Sequence, residues 1–153
     1  MKKVDIGSFK YTTQLTVDYL NKKKSLKDFY HHFPDSDSFK DQIQEKRSQF
    51  TEEQRRVLVD HLDHQYRNIS TTDQVKNNIK SLQNKDTFTV TTGHQLNLFT
   101  GPLYFIYKNV SCLDLAGDLQ EKYPDHQFVP IYWMASEDHD FEEIKSTFLN
   151  KES

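Results

Sequence analysis

Two polar clusters in this chain carry residue types and spacings that can do chemistry. The first is "TTGHQLNLFTG", Thr91 to Gly101, and the second is "SEDHD", Ser136 to Asp140. In the first, Gly93 permits close backbone approach or a positive φ angle. Gly101-Pro102 reads as a helix start, whose free N–H groups and partial positive charge favour an anion. Thr92, His94, Gln95, Asn97 and Thr100 surround that start with donors and acceptors. A Walker A loop is excluded, because Gly93 and Gly101 bracket seven residues and Pro102 stands where the lysine belongs. Lys108 lies roughly 9–10 Å further along the helix axis. A dinucleotide fingerprint fails for want of glycines. In the second cluster, Glu137, Asp138, His139 and Asp140 put three carboxylates beside an imidazole. Such carboxylates can hold Mg²⁺, accept hydrogen bonds from an ammonium or a ribose, or act as a base. Asp140 also has capping-box spacing to Glu143, ahead of Phe141, Ile144 and Phe148, so it has a structural explanation that Glu137, Asp138 and His139 lack.

Other candidates are weaker. His61 and His64 lie three residues apart on a charged helix, where a solvated face is the better reading. His31 and His32 point two ways from a helix end. Cys112 sits in an apolar helix face and reads as a small core residue rather than a nucleophile. No residue is assigned as a metal ligand.

The clusters need elements to hold them. "TFTV" from Thr87 and "FVPIYWMAS", Phe128 to Ser136, are β-branched, aromatic and apolar, and read as strands. Between them, Pro102 to about Lys122 reads as a helix, with Leu103, Ile106, Tyr107, Val110 and Leu113 on one face and Cys112, Ala116 and Leu119 beside them. Strand, helix, strand is a βαβ unit with parallel pairing. Ligands of open α/β sheets bind outside the carboxyl ends of the strands, and both polar clusters fall there. The expected organisation is a helical region over 1–86 packing on a core, then the first βαβ unit over 87–153. Within the helical region, Ser25 and Asp28 have capping-box spacing for a helix carrying Leu26, Phe29, Tyr30 and Phe33 and ending at Pro34. A second helix begins near Ser38, Thr51 and Gln54 cap a third with Leu58, Leu62 and Tyr66 on one face, and Val75, Ile79 and Leu82 mark a fourth. Two parallel strands do not make a stable open sheet, so either the helices cover an unusually small one or the chain is the front part of something larger.

With 153 residues the chain has the length of one ordinary domain. At 35% hydrophobic and 28% charged, its buried segments must be few and concentrated. A net charge of -3 argues against a protein that grips nucleic acid phosphates. The single cysteine allows no intrachain disulfide, which favours a reduced cytoplasmic setting. No apolar run approaches the ~20 residues of a membrane span, so no membrane partner is expected.

"TVTTGHQLNLFTGPLYFIYK" followed by "VPIYWMASEDHDFEEI" resembles the paired signature of the bacillithiol biosynthesis cysteine-adding enzymes, the cysteine ligase (BshC) family. The likeness covers Thr89 to Ile144, and more loosely the front, with "DYL" and "FYHHFP" between Asp18 and Pro34. The resemblance implies an α/β fold: an N-terminal helical segment, then the first βαβ part of an incomplete Rossmann-like nucleotide-binding core. It implies an enzyme that joins L-cysteine to glucosaminyl malate with ATP or ADP as nucleotide, with or without Mg²⁺. It also implies nucleotide contacts from Thr92, Gly93, His94, Gln95, Thr100 and Gly101, and catalytic roles for His94, Asp138 and His139. Asn97, Tyr104, Lys108, Glu137 and Asp140 would meet the substrate. The family more often has Gln where this chain has His94, and Pro or Ala then Gly where it has Leu96-Asn97. Because family members are much longer, a piece of this length is expected to be incompetent alone. The alternative is a non-catalytic α/β module that forms a homo-oligomer through an open sheet edge, and metal-dependent hydrolysis at "EDHD" ranks last.

Overall fold

The computed structural model describes residues 4–137 and 141–147. They form two compact units, 1–46 and 47–153.

In the first unit, a 3-10 turn at Ile6–Ser8 precedes helix α1, Gln14–Leu20, capped by the Thr13 hydroxyl accepting from the Thr16 N–H. The expected helix from Ser25 to Phe33 does not form. Lys24–Phe29 is a 3-10 helix without a side-chain cap, and Tyr30 is already extended, at φ -143° and ψ 149°. The physical reason is tertiary. Tyr30 and Phe33 close on the Tyr19 ring at 5.5 and 5.1 Å, and Pro34 drives the residue before it out of the helical region. Asp35 Oδ1 then accepts from the Ser38 N–H and hydroxyl ahead of α2, Phe39–Gln49. With the Lys22 ammonium on its other oxygen and Ser38 beside it, the Asp35 carboxyl is held well below the usual carboxylate range.

The second unit holds the rest. Helix α3, Glu52–Tyr66, begins with the expected capping box: Thr51 Oγ1 accepts from the Gln54 N–H, and Gln54 Oε1 accepts from the Thr51 N–H. Helix α4, Asp73–Ser81, is capped by Thr72. Strand β1, Thr87–Gln95, pairs in parallel with β2, Gln127–Ala135, and the crossover between them is α5, Leu103–Lys122. A single turn, α6, covers Phe141–Ile144. Among the described residues the sheet has these two strands, in register from Thr87 beside Gln127 to Gln95 beside Ala135.

Alternation along β2 explains the layers. Val129 and Ile131 turn one way, into a core with Val59, Ile79 and Leu82, against which Leu58, Leu62, Tyr66 and Val75 pack. That is the α3 and α4 side. Phe128 and Tyr132 turn the other way and meet rings of the α5 side, Tyr123 and Phe105. Cys112, Ala116 and Leu119 are the buried stripe of α5, and the Cys112 thiol donates to the Val90 carbonyl at 3.1 Å. It is a core residue, as its sequence position suggests. Each fully buried aliphatic side chain in such a core contributes about 1.5–3 kcal/mol.

One charged group belongs to this interior. Arg55, on α3, is only 4% exposed and donates from Nη1 to the carbonyls of Leu82 and Thr87, each at 3.0 Å. Its Nη2 reaches the Lys85 carbonyl at 3.4 Å. The guanidinium therefore gathers the chain between α4 and β1, satisfying carbonyls that the end of one element and the start of the next leave open.

Candidate functional site

Parallel pairing brings the carboxyl ends of β1 and β2 to one rim, with Gly93 beside Trp133, His94 beside Met134 and Gln95 beside Ala135. Strand β1 is longer than "TFTV" suggests and includes Thr91 to Gln95, because β2 supplies a partner for every one of them. Gly93 therefore sits in a strand rather than at a left-handed turn. Its role is close approach: a Cβ there would lie 2.9 Å from the Trp133 carbonyl oxygen and 3.1 Å from the Trp133 Cβ.

Beyond Gln95 the chain turns back into α5. The Gly101 N–H donates to the Leu98 carbonyl at 2.8 Å, and the two residues between, Phe99 and Thr100, have φ of 52° and 68°. That is the backbone of a turn with two left-handed central positions. Gly101 follows at φ 55°, with the Asn97 side chain packed where its Cβ would be. Pro102 is the N-cap residue of α5 rather than its first helical position, and no side chain caps the helix. No side chain caps the first N–H groups of this 20-residue helix, of which that of Phe105 donates to the Pro102 carbonyl at 2.9 Å, and a helix start of this kind after a strand end suits a phosphate or carboxylate.

His94 is held at both nitrogens. Nδ1 faces the Gln95 carbonyl at 2.8 Å, and Nε2 faces the Tyr104 hydroxyl at 2.6 Å. A carbonyl only accepts, so Nδ1 carries a proton, and in the neutral ring Nε2 accepts from the Tyr104 hydroxyl. The Tyr104 phenol then covers the basic nitrogen of that neutral ring. A proton reaching or leaving Nε2 must pass Tyr104 or displace it. Phe105 packs edge-on against the imidazole with ring centres 5.8 Å apart, and against Tyr132 at 5.6 Å. The Tyr132 hydroxyl donates to the His94 carbonyl at 3.4 Å. The Asn97 amide donates to the Gln95 carbonyl at 3.3 Å.

The Lys108 ammonium donates to the Gly93 carbonyl. Sequence distance from the helix start suggested too long a reach. Helical side chains lean toward the N-terminus, however, and that lean returns the ammonium to the strand end. Of its three donors Gly93 uses one, and the others suit anionic oxygens.

The structure thus joins Gly93, His94, Gln95, Asn97, Tyr104 and Lys108 in one connected set, with Gly101 against Asn97. Thr92 is half-buried one register step before Gly93, beside Tyr132, and Thr100 lies exposed in the turn. Glu137 is exposed two residues past Ala135, at the same rim. Asp138, His139 and Asp140 lie outside the described residues. Phe105 and Tyr132 were not singled out from sequence. Their signal was present, since Tyr132 alternates onto the α5 side of β2 and Phe105 lies one residue after Tyr104. His61 and His64 are exposed on α3, as expected of a solvated face.

The family model described as "Bacillithiol biosynthesis BshC, N-terminal Rossmann-like domain" matches residues 1–153. The chain belongs to that family. Relatives named "Putative cysteine ligase BshC" include a Flavobacterium psychrophilum protein, 55% identical over 88% of this chain and 25% of the relative. One from Christiangramia forsetii is 52% identical over 92% of this chain and 26% of its own length, and one from Bacillus cereus 36% over 90% and 25%. This BshC-family chain spans about a quarter of the length of the curated relatives it matches. Its α/β architecture, with a two-stranded parallel sheet and crossover helix, agrees with part of a Rossmann-like domain. No helix among the described residues is long and apolar enough to cross a membrane.

Proposed function

We propose that this chain forms the nucleotide-facing front of a cytoplasmic ATP-dependent ligase that joins L-cysteine to glucosaminyl malate in bacillithiol biosynthesis. The observation that carries this reading is the N-terminus of α5, uncapped by any side chain and opening at the rim beside His94, Asn97 and Lys108. Forming an amide from a carboxylate and an amine in water is uphill, and ATP, when bound, supplies the activation. The chain's own residues then hold and orient. Backbone N–H groups of α5 and the Lys108 ammonium bind phosphate oxygens and stabilise charge developing on them. Thr92, Gln95 and Thr100 add neutral donors, and Gly93 keeps the strand end open to close approach. Tyr104 positions His94 and carries its proton traffic. Carboxylates from Glu137 to Asp140 bind or deprotonate the incoming amine, with His139 beside them. By itself a chain of this length is incompetent for ligation, and robust ligation by it without a complementing polypeptide would contradict that part of the proposal.

The decisive test is thermal: ATP or ADP should raise the melting temperature, and His94→Ala combined with Asp138→Ala should abolish the rise. An unchanged rise in the double variant refutes the site.

A second reading has an observation of its own. Leu103, Tyr107, Val110 and Leu113 on α5 are exposed at 65%, 64%, 46% and 58%, and both strands of a two-stranded sheet are edges. A non-catalytic module that self-associates through these surfaces would give a dimer or larger species by light scattering and no response to nucleotide.

A further inference from the structure

Away from the rim, in the unit of residues 1–46, two adjacent histidines converge on one carboxylate. The spacing of His31 and His32 suggested side chains pointing apart, yet both present Nε2 to the same oxygen of Glu45, at 2.8 and 3.0 Å. Their rings stand perpendicular with centres 4.5 Å apart. All three ligand-type atoms lie within 4.8 Å of one another. The convergence has a cause. Tyr30 and Phe33 anchor the chain on either side of the pair by packing on Tyr19. The extended backbone after the 3-10 helix then leaves His31 and His32 in reach of α2, from which Glu45 projects.

We propose that His31, His32 and Glu45 form a binding site for a zinc-class divalent cation, which staples the segment at residues 30–33 to α2. Two imidazoles and a carboxylate are a donor set that suits zinc, with water as the fourth ligand of a tetrahedron. Imidazole nitrogens select such borderline ions over Mg²⁺ and Ca²⁺, which prefer all-oxygen shells. With metal-to-ligand bonds of about 2.0–2.2 Å, tetrahedral ligand atoms stand roughly 3.3–3.6 Å apart. The nitrogens therefore need to back away from Glu45 by about half an ångström, within ordinary side-chain adjustment. His32 and Glu45 are partly shielded from water, with side chains 25% and 27% exposed, so an ion there meets donors already drawn from solvent. Such a staple has a physical use. Among the described residues of this unit Ile43, at 7% exposed, is the one buried hydrophobic side chain, and small units with little core commonly rely on a metal or another cross-link. The inference is independent of the nucleotide reading and stands if that reading fails.

The test is titration of the chelator-stripped protein with zinc chloride by calorimetry and with cobalt(II) by visible absorption. The expected result is one equivalent bound, a tetrahedral cobalt spectrum, and a melting temperature that rises with zinc but not with the same concentration of Mg²⁺. His32→Ala and Glu45→Gln should each weaken zinc at least ~100-fold, since even outer-shell partners of a metal are worth 10–100-fold. The double substitution His61→Ala with His64→Ala should change nothing. His31 is 73% exposed, so His31→Ala keeps the test valid should the partly buried variants fail to fold. No binding by the parent, unweakened binding by His31→Ala or Glu45→Gln, or loss in the His61/His64 control would overturn the proposal.

Discussion

The two ends of the same strand pair are built on opposite rules. At the base, Thr87, Phe128 and Val129 are 2%, 9% and 3% exposed, wedged between α3 and α4 on one side and α5 on the other. At the rim, four to six residues further along β2, Trp133 and Met134 are 59% and 55% exposed, beside a turn whose Phe99 is 79% exposed and left-handed. Stability is concentrated where the strands begin, and polar, strained and aromatic groups where they end. This is how a rigid scaffold presents a variable, chemically equipped edge. Substitutions that obey this division, and one that violates it, are the means to examine it.

The largest effect belongs at the base. Arg55→Ala removes the donors to the Leu82, Lys85 and Thr87 carbonyls and the contact of the guanidinium with the Phe50 ring. Hydrogen bonds from a charged group contribute about 1.5–3 kcal/mol, and carbonyls left buried without partners add to the loss. The expected destabilisation is about 3 kcal/mol, read from urea unfolding at neutral pH. A loss below ~1 kcal/mol would mean that water replaces the guanidinium, and that the base is not the closed interior described.

Gly93→Ala tests the rim where it touches backbone. The added Cβ meets the Trp133 carbonyl at 2.9 Å, a backbone atom that cannot rotate away. The strands must part locally, at about 1–3 kcal/mol. Because Trp133 is exposed, the disturbance should stay at the rim. Hydrogen exchange should therefore quicken at residues 91–95 and 132–135 and stay unchanged at 87–90. Faster exchange along the whole of β1 would show that the two ends are one cooperative piece.

How far these regions were legible in the sequence follows from the range of the interactions. The Thr51–Gln54 capping box is complete within four residues, and it forms as read. The βαβ order was visible because apolar strands and a periodic helix announce themselves locally. The segment from Ser25 to Phe33 carries a helix pattern yet is not a helix, because its conformation is decided by Tyr19, outside the window that a capping pattern covers. The extension of β1 through Gly93 was hidden because it depends on Trp133, 40 positions away. In the sequence, Arg55 is indistinguishable from the other charges of α3. Its partners lie 27 to 32 residues later, and no local pattern distinguishes a buried guanidinium from an exposed one. At the rim, residue types pointed to the right neighbourhood, while the pairing of His94 with Tyr104 and the return of Lys108 to Gly93 required the register.

The smallest effect should come from Tyr104→Phe, which deletes the phenolic hydroxyl that donates to His94 Nε2. Tyr104 is 54% exposed, so water can take over the donation, and the expected cost in stability is under ~0.5 kcal/mol. The tautomer should nonetheless survive, since the Gln95 carbonyl still requires the proton on Nδ1. The ¹⁵N resonances of the ring would report that directly. In the variant, Nε2 opens to solvent and accepts from water instead of the phenol, while the fold stays intact. If Tyr104→Phe instead lowers the melting temperature as much as Gly93→Ala does, the hydroxyl is a structural strut. The rim would then be part of what holds the strands together rather than the edge that they present.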